Sequence, residues 1–156
     1  MQIRAATPDD LGALLALIGD YQCFYATSPP GEEHNAAFFR RFIAPSEHGM
    51  IIGAFEDDAR LPPAGYTCLY WTFSSVSATD VVLLNDLYVR PQRRGAGVAE
   101  RLIDAAVDVA RERGASHVRW FTALDNRRAQ RLYERVGAER SSWFEYDVAI
   151  PPSGSP

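Results

Sequence analysis

The chain contains no lysine: all sixteen basic residues are arginine, set against twenty acidic ones, for a net charge of −4 over 156 residues. A protein that neutralises a nucleic-acid backbone needs a dense basic face. Here basic residues fall in short groups, such as Arg93–Arg94 and Arg127, Arg128 and Arg131, and make no dense face, so no nucleic-acid partner is expected. The missing lysine also excludes a Walker A loop, whose glycines are followed by Lys-Ser/Thr. Cysteine is scarce. Cys23 and Cys68 lack the spacing of metal ligands, so no metal site is expected, and two lone thiols fit a reducing, cytoplasmic setting. Long apolar runs are missing too. Residues 11–19 are far too short to span a bilayer, and Asp9 and Asp10 just before them are wrong for a signal peptide, so no membrane partner is expected.

What is present suits one α/β domain. Hydrophobic residues make up 47% of the chain, enough for a buried core over residues 1–150, with a frayed tail at 151–156. Residues 2–6 read as a strand. Thr7-Pro8-Asp9-Asp10 then opens a helix, since Thr7 can cap, Pro8 fits the first position and the acids complement the dipole. Leu11, Leu14, Leu15 and Ile18 recur on one face. Ser28-Pro29-Pro30-Gly31 breaks the chain, and residues 32–43 form a second helix with Ala36, Phe39 and Ile43 spaced for burial. Strands at 50–55, 65–76 and 81–89 are joined by two short connections, as in an antiparallel meander. Asn85-Asp86 interrupts the third of these, where a bulge could turn one face toward a ligand. A helix over 98–113 has Ala99, Leu102, Ile103, Ala106 and Ala110 as its stripe. A strand at 117–122 follows, parallel to 81–89 because a helix-length crossover joins them. Asp125 or Asn126 caps a last helix striped by Ala129, Leu132, Tyr133 and Val136. Residues 139–150 read as a closing strand. The expected architecture is a mixed sheet, largely antiparallel with one parallel pair, and helices on both faces.

The chemistry concentrates where strand 81–89 runs through Gln92, Arg93, Arg94, Gly95, Ala96 and Gly97 into the helix beginning at Val98 and Ala99. A glycine-rich turn feeding a helix N-terminus supplies free N–H groups and the positive end of a dipole, which is an anion site best suited to phosphates. A dinucleotide fingerprint does not fit, because Glu100 stands where a third small residue is needed. The N–H groups from Arg94 to Ala99 are the main expected contacts, with the Arg93 and Arg94 guanidiniums as further candidates.

Gln92-Arg93-Arg94-Gly95-Ala96-Gly97 resembles the Q/R-x-x-G-x-G/A signature of the GNAT superfamily of acyl-CoA N-acyltransferases. Asp86-Leu87-Tyr88-Val89 before it, and Asn126 with Leu132-Tyr133-Glu134-Arg135-Val136-Gly137-Ala138 after it, strengthen the resemblance, as does the element order along nearly the whole chain. The resemblance implies an acetyl-CoA-dependent N-acetyltransferase working by direct attack in a ternary complex. Pantetheine would lie along Leu87, Tyr88 and Val89 like an added strand, with an N–H of Leu87 or Val89 polarising the thioester carbonyl. Asn126 would bond the pantetheine arm, and Tyr133 would protonate the departing thiolate.

Transfer to an amine also requires that an ammonium lose its proton. Asp86, mid-strand beside the implied acetyl site, is the first candidate to contact that nitrogen. Leu84-Asn85-Asp86-Leu87-Tyr88-Val89 resembles the matching stretch of diamine and some amino-acid N-acetyltransferases, with Asn85 standing where those enzymes have glutamate. Tyr21 and Tyr25, with Phe24, form an aromatic cluster near Glu32, Glu33 and His34 that would suit a cationic acceptor. The acceptor class expected is a small primary amine: a diamine or polyamine, an amino acid or an amino-antibiotic. A protein N-acetyltransferase and a non-catalytic acyl-CoA-binding regulator are the alternatives. The closing segment is short for the two final strands most members have, which implies a homodimer that completes the sheet.

Overall fold

The computed structural model describes residues 1–25 and 30–150. Two compact units are present, Met1–Ala123 and Leu124–Pro156. In the first, β1 (Gln2–Ala5), α1 (Leu11–Tyr25), α2 (Glu32–Phe39), β2 (Gly49–Phe55), β3 (Gly65–Ser74), β4 (Thr79–Val89), α3 (Val98–Glu112) and β5 (Val118–Arg119) follow in order. They build one five-stranded sheet in the order β1-β2-β3-β4-β5, antiparallel from β1 to β4 and parallel between β4 and β5. Short connections permit only antiparallel neighbours, whereas α3 supplies the crossover that a parallel pair needs.

Alternation along the central strands divides the core into two layers. Ile51, Tyr66 and Cys68 point one way, into a cluster with Leu14, Leu17 and Ile18 of α1 and with Phe39 and Phe42. Ile52, Ala54, Thr67 and Leu69 point the other way and are buried as well. That second face is covered by α3, which runs along β1 to β4 and buries Val98, Leu102, Ile103, Ala106 and Ala110. The expected mixed sheet with helices on both faces is therefore what forms. Among the described residues, no helix is long and apolar enough to cross a membrane.

Several local expectations differ from the structure. The second helix ends at Phe39 and tightens into a 3-10 turn over Arg40–Phe42. Its buried residues are Asn35, Phe39 and Phe42, with Ala36 and Ile43 only half-buried. Asn35 tolerates burial because its amide exchanges hydrogen bonds of 2.9 and 2.7 Å with Gln22 of α1. The tighter turn brings Phe42 inward, where its ring stacks on Tyr70 at 4.9 Å. Val98 rather than Ala99 opens the buried stripe of α3. The strand expected at 117–122 is reduced to β5, which pairs only Val82 with Val118 and Leu83 with Arg119. Its partner strand bulges at Asn85, and a bulge ends a regular ladder.

The second unit contains α4 (Arg127–Arg135), on which Ala129, Leu132, Tyr133 and Val136 are half-buried. The closing strand expected over 139–150 does not form: those residues have no regular structure, and Trp143, Phe144, Tyr146, Val148 and Ile150 are exposed. Alternating apolar residues give strand propensity, but a strand exists only where a neighbour accepts its hydrogen bonds. The chain break read at Ser28-Pro29 and the tail at 151–156 lie outside the described residues.

Candidate active site

Two parts of the first unit carry most of the predicted site residues. The first is the turn between β4 and α3. Gly95 and Gly97 sit at φ +85° and +74°, a left-handed conformation that a Cβ makes unfavourable. Gly97 directly precedes the helix, so the first N–H groups of α3, at Val98 and Ala99, have no carbonyl four residues back to receive them. Residues 91–96 are exposed. The turn therefore presents main-chain donors and a helix dipole to solvent, which fits a pyrophosphate.

The two arginines of this turn are engaged by the protein itself. Arg93 Nε lies 2.7 Å from Glu56 Oε1, and the glutamate is the more buried partner, at 12% side-chain exposure against 45%. Arg94 Nε donates to the Val89 carbonyl at 2.9 Å, and its guanidinium stands 5.8 Å from the Tyr88 ring centre. Gln92 lines a cleft of about 220 Å³ with Glu56, Leu61, Pro62, Arg90 and Arg93. Beyond Leu83, β5 pairs with no residue of β4, so Leu87, Tyr88 and Val89 lie where the two strands part.

The second part is built around Asp86. In the register of β3 with β4, Cys68 faces Asp86 while Leu69 faces Leu84, so Asn85 is an extra residue. This bulge has a decisive effect. Regular alternation would put Asp86 on the face of Leu84, in the apolar layer under α3; the extra residue moves it to the face of Cys68, under α1. There Asp86 is only 7% exposed. Asn85 Nδ2 donates to its carboxylate at 3.1 Å and to the Tyr70 hydroxyl at 3.2 Å, and the Tyr21 hydroxyl also donates to the carboxylate. The Thr67 hydroxyl holds the Asp86 carbonyl at 2.8 Å.

Burial dominates the electrostatics of this carboxyl and pushes it up to about 6, although the bonds from Tyr21 and Asn85 favour the charged form. Three tyrosine rings pack together on this face: Tyr21 meets Tyr66 and Tyr88 at 6.3 and 6.1 Å, and Tyr66 meets Tyr88 at 6.4 Å. The Tyr66 hydroxyl is buried with no hydrogen-bond partner. Burial also raises the Tyr66 and Tyr70 phenols and the Cys68 thiol above their ordinary ranges. A buried carboxylate ringed by phenols can hold an ammonium and receive its proton.

Tyr21 thus lies with Asn85 and Asp86. Tyr25 reaches this group only by an edge contact with Tyr21 at 5.0 Å, and Phe24, Tyr25, Glu32, Glu33 and His34 are exposed. Tyr66, Cys68 and Tyr70 belong to the group but escape a reading of the sequence for motifs. Their signal is the alternation Tyr66-Thr67-Cys68-Leu69-Tyr70, which puts the two tyrosines and the thiol on one face of a strand. In the second unit, Asn126 Oδ1 accepts the Ala129 N–H at 3.2 Å and caps α4, and Tyr133 sits on the half-buried stripe of that helix.

Comparison with known proteins gives the family. Residues 15–138 match the Acetyltransferase (GNAT) family. The uncharacterized N-acetyltransferase YhfO of Bacillus subtilis is 36% identical over 97% of this chain and 99% of its own length. The D-amino-acid N-acetyltransferase HPA3 of Saccharomyces cerevisiae is 35% identical over 86% of this chain and 82% of its own. The crystal structure of a probable acetyltransferase superposes with a TM-score of 0.84 at 31% identity, covering 98% of this chain and all of the other. A phosphate-ready turn, a sheet that parts beside it and relatives matched end to end lead to one assignment: the chain belongs to the GNAT family of acetyltransferases, enzymes that take their acyl group from acetyl-CoA.

Proposed function

We propose that this acetyltransferase acylates the primary amine of a small molecule, with Asp86 as the group that binds the amine and receives its proton. The observation that carries this reading is the bulge at Asn85, which takes a carboxylate out of an apolar layer and buries it among Tyr21, Tyr66 and Tyr88. A relative matched over most of this chain bears the name of a D-amino-acid N-acetyltransferase, and a D-amino acid is a small amine.

The turn from Arg94 to Ala99 would hold the cofactor's pyrophosphate through main-chain N–H groups, with Gln92 beside them. Leu87, Tyr88 and Val89 would hold the pantetheine arm, as would Asn126. Acetyl-CoA supplies an activated acyl carbonyl and a thiolate leaving group. An N–H of Leu87 or Val89 would polarise that carbonyl, an effect worth about 3 kcal/mol per donor. Tyr133 is the proposed proton donor to sulfur, from its place in the Leu-Tyr-Glu segment. With its carboxyl near 6, Asp86 is ionised at neutral pH. An alkylammonium of pKa about 10 would yield its proton to such a base uphill by about 5 kcal/mol. Desolvation among tyrosines lowers the ammonium pKa and reduces that gap.

The test is release of CoA thiol from acetyl-CoA across a panel of amines, with products read by mass spectrometry. Amine-dependent thiol release with N-acetylated product is the expected result. Tight CoA binding without release for any amine would overturn it in favour of a non-catalytic CoA-binding role.

A further inference from the structure

A second charge stands on the tyrosine face, and nothing so far explains it. Arg41 lies in the 3-10 turn after α2. Its guanidinium is stacked over two rings, 5.5 Å from the centre of Phe38 and 5.9 Å from that of Phe42. Among the described residues it has no ion pair, although Arg4, Arg60, Arg93, Arg111 and Arg140 all do.

The position of Arg41 is set by a continuous series of contacts that ends at Asp86. Asn85 bonds both the Asp86 carboxylate and the Tyr70 hydroxyl. Tyr70 stacks on Phe42, and Phe42 lies beneath the Arg41 guanidinium. The positive charge is close enough to Tyr70 to act on its phenol, in the direction opposite to burial. Stacking on a ring occupies the face of a guanidinium and leaves its N–H edges free, and those edges match a carboxylate in two-point fashion. Asp86 is thus a buried anion at one end of an aromatic row, and Arg41 an unpaired, exposed cation at the other.

We infer that the acceptor carries a carboxylate as well as the reacting amine, and that Arg41 binds the carboxylate while Asp86 binds the amine. The inference rests on the amine-acetyltransferase reading of this site and narrows its substrate to amino acids. Two hydrogen bonds and two ring contacts link the charges, and acceptors with the amine at the end of a side chain test the pairing.

Matched acceptors isolate the carboxylate. Lysine and 1,5-diaminopentane differ only in that group, as do ornithine and 1,4-diaminobutane. The whole protein should show a higher kcat/KM for each amino acid than for its diamine, with the difference in KM. Charge-assisted hydrogen bonds imply a preference of about tenfold or more. Arg41→Gln should bring the ratio close to one, and Arg41→Lys should restore part of it. Arg41 is exposed, so neither variant threatens the core, and an unchanged melting temperature checks this. Diamines used as well as or better than amino acids would overturn the inference while leaving the amine-acetyltransferase reading intact. So would an Arg41→Gln variant whose ratio is unchanged. Failure of every amine to release thiol would overturn both.

Discussion

The turn proposed to hold the donor and the face proposed to hold the acceptor are made of different material. The turn from Pro91 to Ala99 offers its main chain, with two glycines at positive φ and a helix start, while its arginines are bound to Glu56 and to the Val89 carbonyl. The face around Asp86 offers side chains gathered from α1, β3 and β4, with a bulge at Asn85 setting the side of the sheet that Asp86 occupies. A main-chain site needs glycine at fixed spacing and tolerates much else. A side-chain site needs particular groups, which can come from anywhere in the chain.

The sharpest break of this contrast is at Asp86. Asp86→Asn should lower kcat/KM for the amine by about a hundredfold or more, the usual contribution of a positioned base. In the wild type, kcat/KM should rise with pH through an ionisation near 6, and the variant should lose that limb. Stability should move the other way. The carboxyl titrates at about 6 in the folded chain against 3.8 as its ordinary value, so between those values the folded state binds more protons than the unfolded chain. Stability therefore falls as pH rises through this window, and the full cost, up to about 3 kcal/mol, is present above it. Asp86→Asn should melt higher than wild type at pH 7.5, and the gap should close toward pH 4. Equal melting at pH 7.5 would mean that the carboxylate is not held against a desolvation penalty.

On the donor side, Gly97→Ala places a Cβ on a residue at φ +74°, a strain of about 1–2 kcal/mol. The KM for acetyl-CoA should rise about tenfold, the same energy expressed as binding, with the KM for the amine unaffected. An amine KM that rises in step would show that the two regions are not independent.

The smallest effect sharpens the claim that the donor turn is a main-chain site. If the Glu56–Arg93 pair tethers the turn, Glu56→Gln and Arg93→Gln should each raise the acetyl-CoA KM about threefold, and the double variant should be no worse than either, as for coupled neighbours. If Arg93 instead binds phosphate in competition with Glu56, Glu56→Gln would tighten acetyl-CoA binding. The two signs are opposite, so a titration of the single variant decides.

Legibility followed the same division. The strand, turn and helix around Gly95 and Gly97 could be read because their function depends on residues adjacent in the chain. The meander, the parallel return after α3 and the stripe of α3 were legible from periodicity and connection length. The end of α2 was not: whether Ile43 or Phe42 is buried depends on a tightening after Phe39 that follows from docking on Tyr70. Nor was the lack of a strand over 139–150, where propensity is present but no neighbouring ladder forms.

Residue order alone points to the family and to the turn proposed to hold the donor. Glycine at 95 and 97 admits the positive-φ turn ahead of an amphipathic helix, and backbone chemistry needs no distant partner. Only the tertiary structure decided the acceptor face. One extra residue at Asn85 reverses which side of the sheet Asp86 occupies, and strand pairing then brings Tyr66, Cys68 and Tyr70 beside it. Helix docking adds Tyr21 and, through Phe42, the Arg41 charge. The polar pair Asn85-Asp86 marks locally where the strand is interrupted, as the bulge bears out, but which side chains meet there is settled by packing between segments far apart in the chain.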